Sequence, residues 1–446
     1  MVGWAADEGF TPAQRVMLGI FIGAALLWIT EAIPPFATAI GVIVASVFGL
    51  GAPGAAMGMR GARDYLIFLE PVMDPVMVLF FGGCVLAQAV QKTGLDYVMA
   101  RWFLKPFAKT APFFLLGVIL VTGAFSMFMS NTATTLMMVT LLSAALKGME
   151  SRASLRRATV LSVAFAANIG GMGTVIGSPP NAVAVASLGK AGIEITFLGW
   201  MMLGVPIALG LLVFLWQWMV RYYRLSAMAV SIEMISEGAE AVSPRSSSRR
   251  KAWVGMVFLG TIILWITESL HGWSVAMVAL LPLFLFTVTG ILDGEDLRKI
   301  PWDVLILVSG GLVLGFGLQK TGLAEALLER VALGGVPKGW LWAGVLLAAV
   351  LLSNFMSNTS AATILIPMVM AVAGSSALVP VILVAFGASL AMSLPISTPP
   401  NAIAYGTGYV SSSEMLRCGT VCTAVGFIIL MTLWYFLEEW LKGMFN

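Results

Sequence analysis

Long apolar runs, parted by short polar or charged stretches, set the pattern of the chain. The first run, Val16 to Ile33, is long enough to cross a bilayer, since a spanning helix needs about 20 apolar residues. Before it, residues 1–13 carry Asp7 and Glu8 but no Lys or Arg, the reverse of a secretory signal's basic opening, and read as a short N-terminal tail. Three apolar segments are predicted near 14–32, 35–50 and 73–91, then an amphipathic stretch at 95–108 lying at the membrane interface. A hairpin follows over 112–146. Its arms of about 16 residues would rise roughly 24 Å, short of the roughly 30 Å hydrocarbon core, so a re-entrant hairpin is expected. A helix over 155–190 is interrupted by GSPPN, and a span at 197–224 closes this part. The second series is read at 252–268, 273–292, 303–319, 323–333, a hairpin at 339–374, a broken helix at 379–410, and 416–441.

The two series are related. WITEAIPP at 28–35 matches WITESLHG at 265–272, and FFGGCVLAQAVQKTGL at 80–95 matches LVSGGLVLGFGLQKTGL at 307–323. MFMSNTATT at 127–135 matches NFMSNTSAAT at 354–363, and AANIGGMGTVIGSPPNAVA at 166–184 matches GASLAMSLPISTPPNAIA at 387–404. Four blocks in one order mark a duplication into repeats 14–224 and 252–446, joined by the polar stretch 225–251, a predicted cytoplasmic linker. With the first hairpin opening inward, 17 of the 25 Lys and Arg fall inside and 8 outside, as the positive-inside rule requires. Five spans per repeat is an odd number, so the second repeat should be inverted, with both termini outside.

Composition settles the solvent. Of the side chains 59% are hydrophobic and 11% charged, with a mean hydropathy of +0.95, against roughly 25% charged in soluble domains. An all-α polytopic membrane protein is expected. The formal charge of +3 gives no nucleic-acid signal. Cys84, Cys418 and Cys422 form no redox or zinc pattern, and Cys418 and Cys422, four apart on an apolar helix, read as buried thiols. One histidine, His271, read as interfacial, and no buried acidic pair argue strongly against an enzyme.

The candidate chemistry lies in polar groups that interrupt apolar segments. In hydrocarbon a helix breaks where the freed backbone groups line a cavity or hold a ligand. Gly177-Ser178-Pro179-Pro180-Asn181 and Ser397-Thr398-Pro399-Pro400-Asn401 are such breaks: prolines stop the incoming helix and suit the start of the next. Carbonyls before them are expected to be free for a cation, while the new helix start favours an anion. Ser130-Asn131-Thr132 and Ser357-Asn358-Thr359 offer hydroxyls and amides for carboxylates or Na⁺. A single such run usually caps a helix; paired runs, each beside a Pro-Pro-Asn break, favour a binding site. Inverted repeats with paired breaks point to a secondary transporter. No ionisable residue lies near the middle of a hairpin or broken helix, which disfavours a proton relay. Without an Arg clamp, an anionic substrate would need cations to offset its charge. Glu31 and Glu268, at span ends, read as structural, the two QKTG runs as helix ends, and most of the fourteen tryptophans as interfacial anchors.

WITEAIPP, the two MSNT tips, GSPPN and STPPN resemble the divalent anion/sodium symporter family over nearly the whole chain. The resemblance implies a scaffold domain and a transport domain, a homodimer formed through the scaffold, and an elevator mechanism in a bacterial cytoplasmic membrane with its lipid. It implies a first Na⁺ site at Ser126, Ser130, Asn131 and Gly177, and a second at Ser353, Asn358 and Ser397. Substrate carboxylates would meet Ser130, Asn131, Thr132, Ser357, Asn358 and Thr359, with Ser178, Pro179, Thr398 and Pro399. The implied substrates are C4-dicarboxylates such as succinate, malate or fumarate, with Na⁺ as coupling ion and no organic cofactor. A sodium-independent exchanger, or a sulfate or citrate carrier, is the alternative on the same scaffold. Two departures stand out: Ser178 where members often carry Thr, and no additional apolar helix before Ala13, which makes ten spans.

Overall fold

A computed structural model describes residues 9–149, 152–230, 246–330 and 337–444. Residues 231–245 of the expected linker and 1–8 of the expected tail lie outside the described residues. Among the described residues the chain is helical, and the one isolated β-bridge pairs Thr110 with Ala229. Among the described residues six helices are long and apolar enough to cross a membrane: Pro12–Thr30, Glu70–Thr93, Phe197–Tyr222, Trp302–Lys320, Lys338–Phe355 and Ser412–Phe436. Large apolar side chains cover the outside, with Phe48, Met73 and Phe355 each about 70% exposed. Such a surface is stable only against lipid, so the protein is an integral membrane protein.

Local chemistry sets the helix ends. Thr11 caps the first helix in a reciprocal capping box with Gln14, and Pro12 takes the first position. Gly94 and Gly322 of the two QKTG runs end their helices in the left-handed region, at φ 68° and 67°. Val275–Val288 has 14 residues, about 21 Å, where the sequence pattern predicts a segment over 273–292. Ser274 caps its start and Gly290, at φ 65°, turns the chain just after its end. The apolar pattern did not indicate the short 3₁₀ helices Asp64–Phe68 and Glu70–Met73.

The tryptophans of the two WITE runs turn inward. Trp28 and Trp265 are fully buried, and their indole N–H groups donate at 3.0 Å to Pro35 O and Val275 O. They close the turn between the first and second helices of each half. An indole at the end of an apolar run can anchor at lipid headgroups or donate inward to a carbonyl, and these donate inward. Trp200 does the same, to Met172 O at 3.0 Å.

Pro35–Ser46 lies along Trp302–Lys320, and Val275–Val288 lies along Pro75–Thr93. Glycine permits both crossings. A methyl on Gly310 would overlap Ala39, and one on Gly82 would sit 2.6 Å from Ala279 Cβ. The next glycines face elsewhere: Gly311 toward Thr363 and Gly83 toward Ile176. These two helices therefore stand between an outer pair and the elements that carry the polar loops.

Those elements are two helical pairs, Ala111–Ser126 with Asn131–Leu141 and Lys338–Phe355 with Asn358–Ala373, and two interrupted helices. The first interrupted helix is Ala153–Gly170, a 3₁₀ turn at Gly171–Gly173, then Pro179–Lys190; the second is Leu378–Ser389, then Pro399–Gly406. Asn131–Leu141 packs on Ala153–Gly170 and on Pro399–Gly406. Asn358–Ala373 packs on Leu378–Ser389 and on Pro179–Lys190. Each hairpin thus touches both interrupted helices, which brings tips and breaks from the two halves into one region.

Candidate functional site

Ser130 and Ser357 are helix N-caps. Ser130 Oγ accepts from Ala133 N at 3.2 Å, and Ser357 Oγ accepts from Ser360 N at 3.1 Å. The residues after them lie at the first positions of the new helices, where backbone N–H groups have no helical partner. Thr132 is exposed and Thr359 buried, and among the described residues neither hydroxyl makes a hydrogen bond.

Oxygens converge around Asn131. Its Oδ1 lies 2.7 Å from Ser126 Oγ, and Ser126 Oγ lies 2.7 Å from Ala167 O. With the amide turned over, Nδ2 donates to Ser126 Oγ at 2.7 Å and to Ala167 O and Gly177 O at 3.2 Å. Two arrangements satisfy this geometry. In one the amide donates and closes the cluster itself. In the other the amide presents its oxygen, and four neutral oxygens from Ser126, Asn131, Ala167 and Gly177 face a small cation. Hard cations take oxygen ligands of these kinds, so the residues fit Na⁺. Ala167 was not foreseen, because a carbonyl in mid-helix carries no sequence signal. Glycine is required here: a methyl on Gly171 would lie 2.6 Å from Asn131 Oδ1, and one on Gly177 2.6 Å from Gly171 O.

The break beside this cluster is stapled. Asn181 Nδ2 donates to Gly171 O at 2.9 Å and to Thr174 O at 2.8 Å. Thr174 Oγ1 donates to Met127 O and accepts from Gly177 N at 3.1 Å, tying the break to the first hairpin tip. Within the break the carbonyls of Gly171 and Thr174 are thus taken by Asn181. The Gly177 carbonyl faces Asn131 instead. Ser178 is buried and its hydroxyl makes no hydrogen bond among the described residues, while its carbonyl accepts from Asn181 N at 3.0 Å; Pro179 follows at the first helical position.

The second half is built differently. Ser353 Oγ and Asn358 Oδ1 are buried without a partner. Ser397 Oγ donates to Asn354 Oδ1 at 3.0 Å and accepts from Leu394 N at 2.9 Å. Asn354 also accepts from Ser393 N at 3.2 Å and donates to Val350 O at 2.8 Å. Asn354 was missed because Met127 occupies the matching place in the first half. Asn401 repeats the staple, donating to Met392 O at 3.0 Å and Leu394 O at 2.9 Å. Thr398 caps the new helix by accepting from Asn401 N at 3.3 Å, and Pro399 is its first residue. Among the described residues no group of three or more His, Cys, Asp or Glu could hold a metal ion. The candidate donors are neutral oxygens and backbone N–H groups.

Known proteins resemble this chain in sequence and in fold. The family described as "Citrate transporter" matches residues 25–382. The chain belongs to this citrate transporter family. Members are transporters, and this chain is a secondary transporter, not an enzyme. The sodium-dependent dicarboxylate transporter SdcS of Staphylococcus saprophyticus is 30% identical, over 96% of this chain and 88% of that protein. SdcS of Staphylococcus aureus strain USA300 is 28% identical, over 96% and 86%. The YdaH transporter of Alcanivorax borkumensis shares the fold, with a TM-score of 0.63 over 92% of this chain and 98% of that one, at 13% identity. MtrF of Neisseria gonorrhoeae gives 0.58 over 93% and 97%, at 14% identity.

Proposed function

We propose that this transporter imports C4-dicarboxylates such as succinate, malate or fumarate, driven by Na⁺. The oxygen cluster around Asn131 carries the reading. It offers four neutral oxygens to a small cation beside a helix start, in a site without a basic clamp. One Na⁺ is held by Ser126, Asn131 and Gly177, with the Ala167 carbonyl added to the expected set; Ser130 caps the adjoining helix. A second is held by Ser353 and Asn358, with Ser397 fixed by Asn354. The substrate carboxylates meet the helix starts at Asn131-Thr132 and Thr359, with Ser178-Pro179 and Thr398-Pro399. The cations offset their charge, and the positive helix ends add to it. The SdcS relatives, named for sodium and dicarboxylate, support the pair of solutes.

The two halves are read as inverted repeats whose tips and breaks form a transport domain, moving as an elevator against a scaffold that dimerises in a bacterial cytoplasmic membrane. A carrier must resist moving when half loaded. Unsatisfied buried oxygens at Ser353 and Asn358 supply that cost when Na⁺ is absent.

One observation favours a second reading. With its amide turned, Asn131 satisfies the first cluster without a cation, as a sodium-independent exchanger would need. Asn131→Ala and Asn358→Ala distinguish them by uptake of labelled succinate. The proposal expects each to abolish Na⁺-driven uptake in a folded protein, and wild-type uptake in either would remove the assignment.

A further inference from the structure

We propose that Asn168 is the positioning residue through which cation binding in the first half sets the substrate geometry of the second. This rests on the Na⁺-coupled reading above. Asn168 lies in Ala153–Gly170, immediately after Ala167, whose carbonyl faces the Asn131 amide. It is fully buried in an otherwise apolar stretch. Its Nδ2 reaches across to the other break, 3.1 Å from Thr398 Oγ1 and 3.3 Å from Asn401 Oδ1. Those two side chains fix that break: Thr398 caps the helix start, and Asn401 holds the carbonyls of Met392 and Leu394. Two consecutive residues, Ala167 and Asn168, thus join the first oxygen cluster to both anchors of the second break.

The strut runs one way only. The repeat alignment sets Ser389 opposite Asn168 and Asn181 opposite Asn401. Ser389 turns its hydroxyl to Ala385 O at 3.4 Å, and Asn181 Oδ1 is buried with no partner. Among the described residues no matching side chain therefore ties the second half back to Asn181. Asn168 Oδ1 is likewise buried without a donor. An orphaned amide oxygen in an apolar helix is costly to retain, and holding Thr398 and Asn401 accounts for its presence. A cation that draws in Ala167 O and Asn131 Oδ1 fixes the end of this helix. Asn168 moves with its neighbour and orders the Thr398 cap, where a carboxylate would bind. Linkage makes the effect reciprocal, so bound substrate tightens Na⁺ by the same factor.

The test measures the ratio of succinate dissociation constants without Na⁺ and at saturating Na⁺, on purified full-length protein. A parallel measurement follows Na⁺ alone by its stabilisation against heat. Asn168→Ala should lower the ratio about tenfold, equivalent to 1.4 kcal/mol, while the Na⁺ concentration for half-maximal stabilisation stays within about twofold. Asn168→Leu removes the same donors at similar volume and carries the test if the alanine variant does not fold. A folded variant with the wild-type ratio overturns the proposal. So does loss of stabilisation by Na⁺ alone, which would make Asn168 part of the cation site. A wild-type ratio of one would instead overturn Na⁺ coupling itself.

Discussion

Removing the stapling amide of either break should unsettle the protein by an amount the structure allows one to rank. Asn181→Ala strips the donor from Gly171 O and Thr174 O, both held at 2.8–2.9 Å by a fully buried side chain. Thr174 O keeps the Gly177 N–H at 3.3 Å, so one buried acceptor, Gly171 O, is left unmade, at a cost of about 1–3 kcal/mol. Asn401→Ala strips Met392 O and Leu394 O and also leaves the Asn168 amide without one acceptor. Leu394 O keeps the Ser397 N–H at 3.1 Å, so two groups, Met392 O and one Asn168 N–H, lose a partner and the loss is about 2–6 kcal/mol. One kcal/mol moves a melting midpoint by about 2–4 °C at 150–250 residues and by less in longer chains. Both variants should therefore melt several degrees low in detergent, Asn401→Ala lower than Asn181→Ala. Tryptophan fluorescence on heating reads the midpoints at one fixed scan rate. Wild-type midpoints in both, or the reverse ranking, would refute the stapling account.

Gly82→Ala and Gly310→Ala place a methyl against Ala279 and Ala39 at the two helix crossings; overpacking of this kind costs about 1–3 kcal/mol. Both should lower the melting midpoint, whereas Gly210→Ala, which meets nothing within 4 Å, should not. Asp96, buried in the helix Leu95–Leu104, has its carboxyl pushed up to about 7, chiefly by burial, against the pull of backbone N–H groups and Lys251. Between pH 3.8 and about 7 the folded protein keeps a proton that the unfolded chain has released. Stability from this group is thus full below about pH 4 and is lost as pH rises to about 7, on the order of 4 kcal/mol at most. Asp96→Asn should flatten that pH dependence of the melting midpoint and raise it at pH 8. An unchanged slope would contradict the burial argument.

What could be read in the sequence follows from which residues punctuate. Proline at the first position and Ser or Thr before it mark the helix starts at Pro179 and Pro399, because few other conformations accept them. Ser130 and Ser357 announce the other two starts in the same way. Asn168 gave no signal, since a lone Asn in an apolar helix has no local role and its partners are some 230 positions away. Asn354 was hidden by the asymmetry of the repeats, with Met127 in its matching place. Trp28 and Trp265 could not be placed from the sequence, because the same ring suits a headgroup layer or an inward carbonyl. Only the packed turn decides between them.

The central claim is that Na⁺ drives dicarboxylate uptake. Proteoliposomes containing the purified protein, given labelled succinate with an inward Na⁺ gradient or with K⁺ in its place, test it most directly. Accumulation with Na⁺ and none with K⁺ is the predicted result. Equal uptake in both cations, dependent on dicarboxylate inside the vesicles, would contradict it and identify an exchanger.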